Sequence, residues 1–180
     1  MRGVIFTVLC DMLEEQHGLS FLNEVIDQAN LESGGIYTAG GDYPSEEVDK
    51  IVLLLERKLG VPKEFILRSY GEYLLGALVT SFPHFFEVEG LKQFLLGVHD
   101  YIHVEVTKLY PDSRLPDFRC ADQELSQLTM TYYSERKMCH LAEGLIAGAA
   151  RHFNEEYSLV QSRCLHRGDD SCQFDLVFYG

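Results

Sequence analysis

The sequence lacks the long apolar run that a membrane span requires. Nowhere do about 20 consecutive residues stay apolar, and the opening stretch RGVIFTVLC runs straight into Asp11, Glu14 and Glu15. No small-residue cleavage site follows it, so the N-terminus reads as part of the fold and a cytoplasmic protein is expected. Basic residues are scarce, 15 against 28 acidic ones, and the resulting net charge of −13 repels a phosphate backbone. Nucleic acid is therefore not an expected partner. Cysteine is too sparse for a disulfide framework: Cys10, Cys120, Cys139, Cys164 and Cys172 are odd in number and scattered, which suits reduced thiols or metal ligands. Internal repeats, low-complexity tracts and the HExxH motif of zinc hydrolases are all missing.

What is present is one domain's worth of helix and strand patterning. The 180 residues, 46% of them apolar, suffice for one compact domain with a single sizeable core, expected in two lobes. Val4, Phe6, Val8, Leu9, Met12 and Leu13 mark a helical stripe over residues 3–15. A second helix follows over LSFLNEVIDQAN, with Ser20 as its expected cap, and a third runs from Ser45 to about Leu59, opened by acidic residues and closed by Gly60 and Pro62. Residues 63–80 form a fourth, in which Gly71 and Gly76 imply close approach, either of a flat group or of another helix. Residues 91–110 form a fifth, ended by Pro111. From Phe118 the period changes: Leu128, Met130, Tyr132 and Ser134 alternate along a strand, residues 136–153 return to helix, and two strands flank HRGDDS. The expected class is α+β, an N-terminal helical lobe (1–62) followed by a lobe of antiparallel sheet plus helices (63–180).

The fifth helix carries the chemistry. On a wheel of about 100° per residue, Leu91, Phe94, Leu95, Val98, Ile102, Val106 and Leu109 share one arc, and His99 and His103 stand together on its shoulder. An i, i+4 imidazole pair binds zinc when a third ligand joins it, and otherwise serves as an ordinary half-buried pair. The helix alone leaves both readings open.

The stretch IHVEVTKLYPDSRLPDF, together with YYSER at 132–136, resembles the haem nitric oxide/oxygen binding family, H-NOX or HNOB, and the similarity extends through RGVIFTVL, GIYTAGGDY and YGEYL. The resemblance implies a haem b held between the lobes, with His103 and not His99 as the axial iron ligand. It implies that Tyr132, Ser134 and Arg136, the Y-x-S-x-R signature, hold the propionates. Alternation along a strand would put these three on one side, offering two hydroxyls and a forked guanidinium to a carboxylate pair. Pro116 matches the proline that presses on the porphyrin. Ile5, Leu9, Leu74, Leu78, Leu141 and Leu145 match the distal face, and Leu141 stands where dioxygen-holding members place a tyrosine. An apolar distal face implies nitric oxide over stable dioxygen, with carbon monoxide also accepted. Tyr73 and His140, each one residue from this set, are the nearest alternative donors.

A second metal site is also expected. Cys164 and Cys172 flank a hairpin and Cys139 opens the preceding helix, so three thiolates are available for tetrahedral zinc. In a branch of the family a histidine three residues before the second cysteine completes such a site, but Gln161 occupies that position here. His166 and His140 are substitutes by type. The resemblance thus implies a sensor and not an enzyme, reporting to a separate histidine kinase or cyclic-di-GMP enzyme because 180 residues contain no output region of their own. Competing expectations are a zinc hydrolase built on His99 and His103 with Asp100 or Glu105, and a binding module without haem.

Overall fold

The computed structural model describes residues 1–179. Three helices, α1 (Gly3–His17), α2 (Leu19–Ala29) and α3 (Glu46–Leu59), pack with the first half of α4 (Lys63–Ser81) around Phe6, Leu9, Leu13, Val25, Ile51 and Leu55. A second core gathers the end of α4, α5 (Leu91–Gly97), α7 (Cys139–Phe153) and the inner face of a sheet. That sheet is antiparallel throughout, in the order β1-β2-β4-β3, from β1 (Asp117–Glu124), β2 (Gln127–Tyr133), β3 (Glu156–Arg163) and β4 (Cys172–Tyr179). Leu128, Met130 and Tyr132 lie opposite Leu176, Phe174 and Cys172, so the alternating apolar residues of two neighbouring strands meet on one buried face. The α+β class and the helices-first order are as the sequence implied.

Two expectations need local correction. Ser20 does not cap α2: the chain turns into that helix through Gly18 at φ +86, a left-handed conformation that glycine adopts without strain, and Ser20 falls inside the first turn. Ser45 occupies the cap position of α3 but its hydroxyl makes no capping bond; the first turn relies on Glu46, Glu47 and Asp49 against the helix dipole.

The glycines of α4 have a definite meaning. A Cβ on Gly71 would stand 2.4 Å from the carbonyl oxygen of Leu141, and one on Gly144 would stand 2.1 Å from that of Arg68, so the two helices cross backbone to backbone. Gly71 serves a helix crossing, whereas Gly76 faces open space. The crossing fixes the spacing of the leucines that α4 and α7 turn toward the interior.

The fifth helix is not one helix. Between α5 and α6 (Val104–Leu109), residues Val98–His103 form a π-helical turn with i→i+5 hydrogen bonding. The extra residue in that turn breaks the straight wheel. Leu91, Phe94 and Leu95 are buried as the stripe implied, but neither the π-turn nor α6 contains a fully buried residue, and Leu109 is 69% exposed along the border of a cavity.

Glu47 pins the glycine-rich loop before α3. Only 1% exposed, it accepts hydrogen bonds from the Ser33 amide (2.8 Å), the Ser33 hydroxyl (2.7 Å) and the Tyr37 hydroxyl (2.7 Å). Burial by itself would raise its pKa, but these donors outweigh burial and the carboxyl titrates below its ordinary value. A lowered folded pKa means that the stabilisation is complete above the unfolded value of about 4.3 and is lost as pH falls through the folded value. Glu47→Gln is expected to destabilise the protein by roughly 1–3 kcal/mol at pH 7. In urea titrations the gap between variant and parent should narrow as pH is lowered below 4.3; a gap independent of pH would show that the carboxylate charge contributes nothing.

Candidate functional site

A cavity of about 760 Å³ opens between the two cores. One wall is oily: Ile5 of α1, Leu74 and Leu78 of α4, and Leu141 and Leu145 of α7, set apart by the glycine crossing. The same cavity is lined by His103 and Pro116 and by the polar side chains Ser134, Arg136, Arg114, Arg2 and Tyr110. Leu9 is not part of the lining. It is fully buried in the N-terminal core, one helical turn beyond Ile5, because the wall facing the cavity is made by the first turn of α1.

His103 is poised as a ligand. Burial is the main reason its pKa falls to about 4, with the neighbouring His99 adding to the shift and the Pro116 carbonyl and Asp117 opposing it. The imidazole is therefore neutral at physiological pH, with a lone pair free for a metal. Its Nδ1 is buried and has no hydrogen-bond partner among the described residues. Such an orphaned polar atom on a cavity wall is what a resident polar or metal-bearing group would explain.

The three signature residues reach the rim, though not along one strand. β2 ends at Tyr133, and a turn over Ser134–Lys137, with Lys137 at φ +51, carries Ser134 and Arg136 to the opening of α7. The strand-alternation argument thus holds for Tyr132 alone. Its hydroxyl accepts a hydrogen bond from the Met138 amide at 3.1 Å, and burial pushes its pKa up to about 12. The Ser134 hydroxyl accepts from the Arg136 amide at 3.3 Å, and the Arg136 guanidinium donates to the Arg114 carbonyl at 2.6 Å. Arg114 and Arg2 also line the cavity, and neither has a sequence signature: Arg114 is a lone cation between prolines, and Arg2 arrives through the packing of the N-terminus, where its guanidinium lies 3.8 Å from the centre of the Tyr110 ring.

The alternative distal donors point elsewhere. The Tyr73 hydroxyl donates to Glu15 at 2.6 Å on the outer side of α4, and His140 Nδ1 lies 3.3 Å from the Glu143 carboxylate; neither side chain lines the cavity.

Cys139, Cys164 and Cys172 do converge. Their sulfurs lie within 4.8 Å of one another, with 3.9 Å between those of Cys139 and Cys164. Burial is the first cause that raises the pKa of Cys139 and Cys172, so these thiols stay protonated unless a cation draws the protons off. His166 falls into a different group, with Cys139 and His140: its ring stacks on that of His140 at 5.6 Å, while its Nε2 lies 2.7 Å from the Lys137 carbonyl. The buried Gln161 amide nitrogen has no hydrogen-bond partner among the described residues. Three cysteine sulfurs are thus brought together, and no imidazole among the described residues joins all three.

His99 and His103 gather no third ligand. Their ring centres are 6.3 Å apart, Asp100 is exposed, and Glu105 is paired with Lys108. Among the described residues no cluster of three metal-ligating side chains includes either histidine, which leaves the hydrolase reading without a site.

The comparisons agree with this geometry. The haem-NO-binding family model matches residues 2–161. The fold superposes on a solved H-NOX protein from S. oneidensis in the Fe(II)NO ligation state with a TM-score of 0.94, at 30% identity and with all of both chains covered. An unliganded Fe(II) H-NOX protein from K. algicida matches with a TM-score of 0.92 and 30% identity, over all of this chain and 97% of that one. The soluble guanylate cyclase gcy-35 of Caenorhabditis elegans is 25% identical over 160 residues, 84% of this chain but only 23% of the cyclase. This chain therefore spans about a quarter of that curated relative. A neutral histidine in a cavity lined by leucines and arginines, and a family match across nearly the whole chain, lead to one conclusion: the chain belongs to the haem-NO-binding family of haem-based gas sensors.

Proposed function

We propose that this chain senses nitric oxide through a haem b bound by His103 and signals to a separate protein. The observation that carries the reading is that one cavity is lined both by a half-buried neutral imidazole and by Leu74, Leu78 and Leu141, which offer no hydroxyl donor. When bound, haem supplies a ferrous iron with one coordination position open to a diatomic gas. His103 would hold the iron. Ser134, Arg136 and Tyr132 would hold the propionates, and the same role would extend to Arg114 and Arg2, all of which line the cavity. Pro116, in the same lining, would press on the ring. The leucines of α4 and α7 exclude water and withhold the hydrogen bond that bound dioxygen needs, so nitric oxide and carbon monoxide are the expected ligands. Release of His103 would free α6, which has no buried residue to hold it, and carry the signal outward. A histidine kinase or a cyclic-di-GMP enzyme is the proposed receiver. No described helix is long and apolar enough to cross a membrane, in keeping with a cytoplasmic site of action.

Purified protein expressed with ample haem supply should show a strong Soret band that shifts with nitric oxide. His103→Gly should lose the nitric oxide response at the partner. A colourless parent protein, or an undiminished response in the variant, sinks the reading.

The oily wall makes a second prediction. Leu141→Tyr places a phenol in the cavity wall and should yield an oxygenated spectrum in air that the parent lacks. Identical behaviour of parent and variant would remove the distal wall as the source of gas discrimination.

We further propose a structural zinc at Cys139, Cys164 and Cys172, carried by the convergence of the three sulfurs. His166 would have to leave the Lys137 carbonyl to serve as fourth ligand, and water is the other candidate. Protein purified without chelator should contain stoichiometric zinc that Cys139→Ser removes; zinc-free parent protein would end this proposal.

A further inference from the structure

His99 is the one singled-out residue to which gas sensing assigns no task. It is no core residue, since its side chain is 45% exposed, yet its Nδ1 is buried without a hydrogen-bond partner. That nitrogen stands 3.6 Å from the Oδ1 of Asp117, too long for a direct hydrogen bond and short enough for ion pairing. Asp117 opens β1, is registered against Tyr133 of β2, and directly follows Pro116 of the cavity wall. Its other oxygen accepts from Arg119 Nε at 3.2 Å, so the carboxylate is fixed to the sheet. Lys108 is the other charged side chain lining the groove shared by His99, His103 and Asp117, and Asp100 of the same turn faces solvent.

The backbone gives this pair its meaning. The π-turn begins and ends at Val98 and His103, so it contains both imidazoles and nothing beyond them. VHDYIH has no proline or glycine that would force such a turn. A π-turn is less favourable than α-helix and recurs at functional sites, so it persists when contacts outside the helix hold it. On its N-terminal side α5 is anchored in the core by Leu91, Phe94 and Leu95; on its C-terminal side α6 is not. Relaxation of the turn to α geometry would therefore be taken up by α6 and by His103 itself, as a rotation of about 100°, one residue's step.

We infer that His99 is a positioning residue: paired with Asp117, it ties the π-turn to β1 and sets how firmly His103 is held toward its metal. The inference rests on the haem reading of the cavity. It assigns His99 no bond to the metal.

The test compares the parent with His99→Leu, Asp117→Asn, the double variant and His99→Gln, all full-length and haem-loaded, with thermal melts to establish that each folds. In the ferrous nitrosyl protein, absorption reads the ratio of His103-detached to His103-attached molecules. Both single variants should raise that ratio roughly twofold to fivefold, the span expected for one partly screened ion pair. The double variant should add nothing to the singles, and His99→Gln, which keeps a donor, should fall between. The iron–histidine stretching band of the ferrous protein should move to lower frequency in step. Hydrogen exchange at amides 98–109 should quicken in His99→Leu whether or not haem is bound. Unchanged ratio, band and exchange would overturn the inference, as would a response of His99→Leu that Asp117→Asn does not share, because that pattern marks packing alone. Failure of the parent itself to take up haem would instead bring down the gas-sensing proposal, a result that no variant is needed to see.

Discussion

The desolvation of one imidazole governs this molecule. His103 sits on a cavity wall where burial keeps it unprotonated and where its Nδ1 finds no partner. A buried polar atom left unsatisfied costs roughly 1–3 kcal/mol, and that cost is tolerated only if something else draws on it. The iron of the proposed haem would do so: a metal takes the lone pair of a neutral histidine, and the low pKa removes competition from the proton. Everything that makes the cavity follows from keeping that side chain dry on one side and leaving room opposite it. The backbone crossing of α4 and α7 at Gly71 and Gly144 sets the oily wall, and the two cores close on either side of it.

Charge is distributed with the same logic. A chain with net charge −13 nonetheless brings Arg2, Lys108, Arg114 and Arg136 to the cavity. Lys108 is already paired with Glu105 at 2.5 Å, and Asp42 also lines the cavity, so the three arginines are the cations left to meet a carboxylate-bearing group, and guanidinium forks match carboxylates better than any other side chain does. The serine and tyrosine of the signature are less free than their sequence suggests, since each already accepts a backbone hydrogen bond. Each hydroxyl hydrogen is thus left to donate to a bound carboxylate on the proposed reading, while the accepted bonds hold the turn that carries Arg136.

The parts of this architecture legible in the sequence are those written in periodicity. The stripes of α1 to α4, the alternation in β2 and β4, and the order of helices before sheet follow directly from the spacing of apolar residues. The resemblance carried in YYSER and in the His103 context pointed to the cavity because those residue types have few other reasons to coincide. What stayed hidden depends on one-residue differences in backbone path. A π-turn leaves the apolar stripe around it almost unaltered, so nothing in VHDYIH announces it. Ser134 and Arg136 continue a strand's alternation on paper while the chain has already turned. Leu9 keeps helical spacing with Ile5, yet only the first turn of α1 meets the cavity. Gly144 lies inside the helix expected over 136–153, and its role at the crossing exists only in relation to α4.

The helix that carries His103 is anchored unequally, and this sets the direction in which a change at the metal can travel. Its first turn is sunk in the core at Leu91, Phe94 and Leu95, while nothing from Val98 to Leu109 is fully buried. Movement that begins at His103 therefore meets resistance toward α5 and little toward α6. Beyond α6 lies Tyr110, and the Arg2 guanidinium that stacks on it also donates to the Gly40 carbonyl, while the Met1 ammonium pairs with Asp42 at 3.1 Å. A shift of α6 consequently pulls on the N-terminus and on the glycine-rich loop together. That loop is the one held from its other end by the buried Glu47, a fixed point against which the displacement would be felt. Coupling between the lobes then needs no long wire through the core. On the proposed reading it would run from one imidazole along a loosely held helix to the arginine–tyrosine contact between Arg2 and Tyr110.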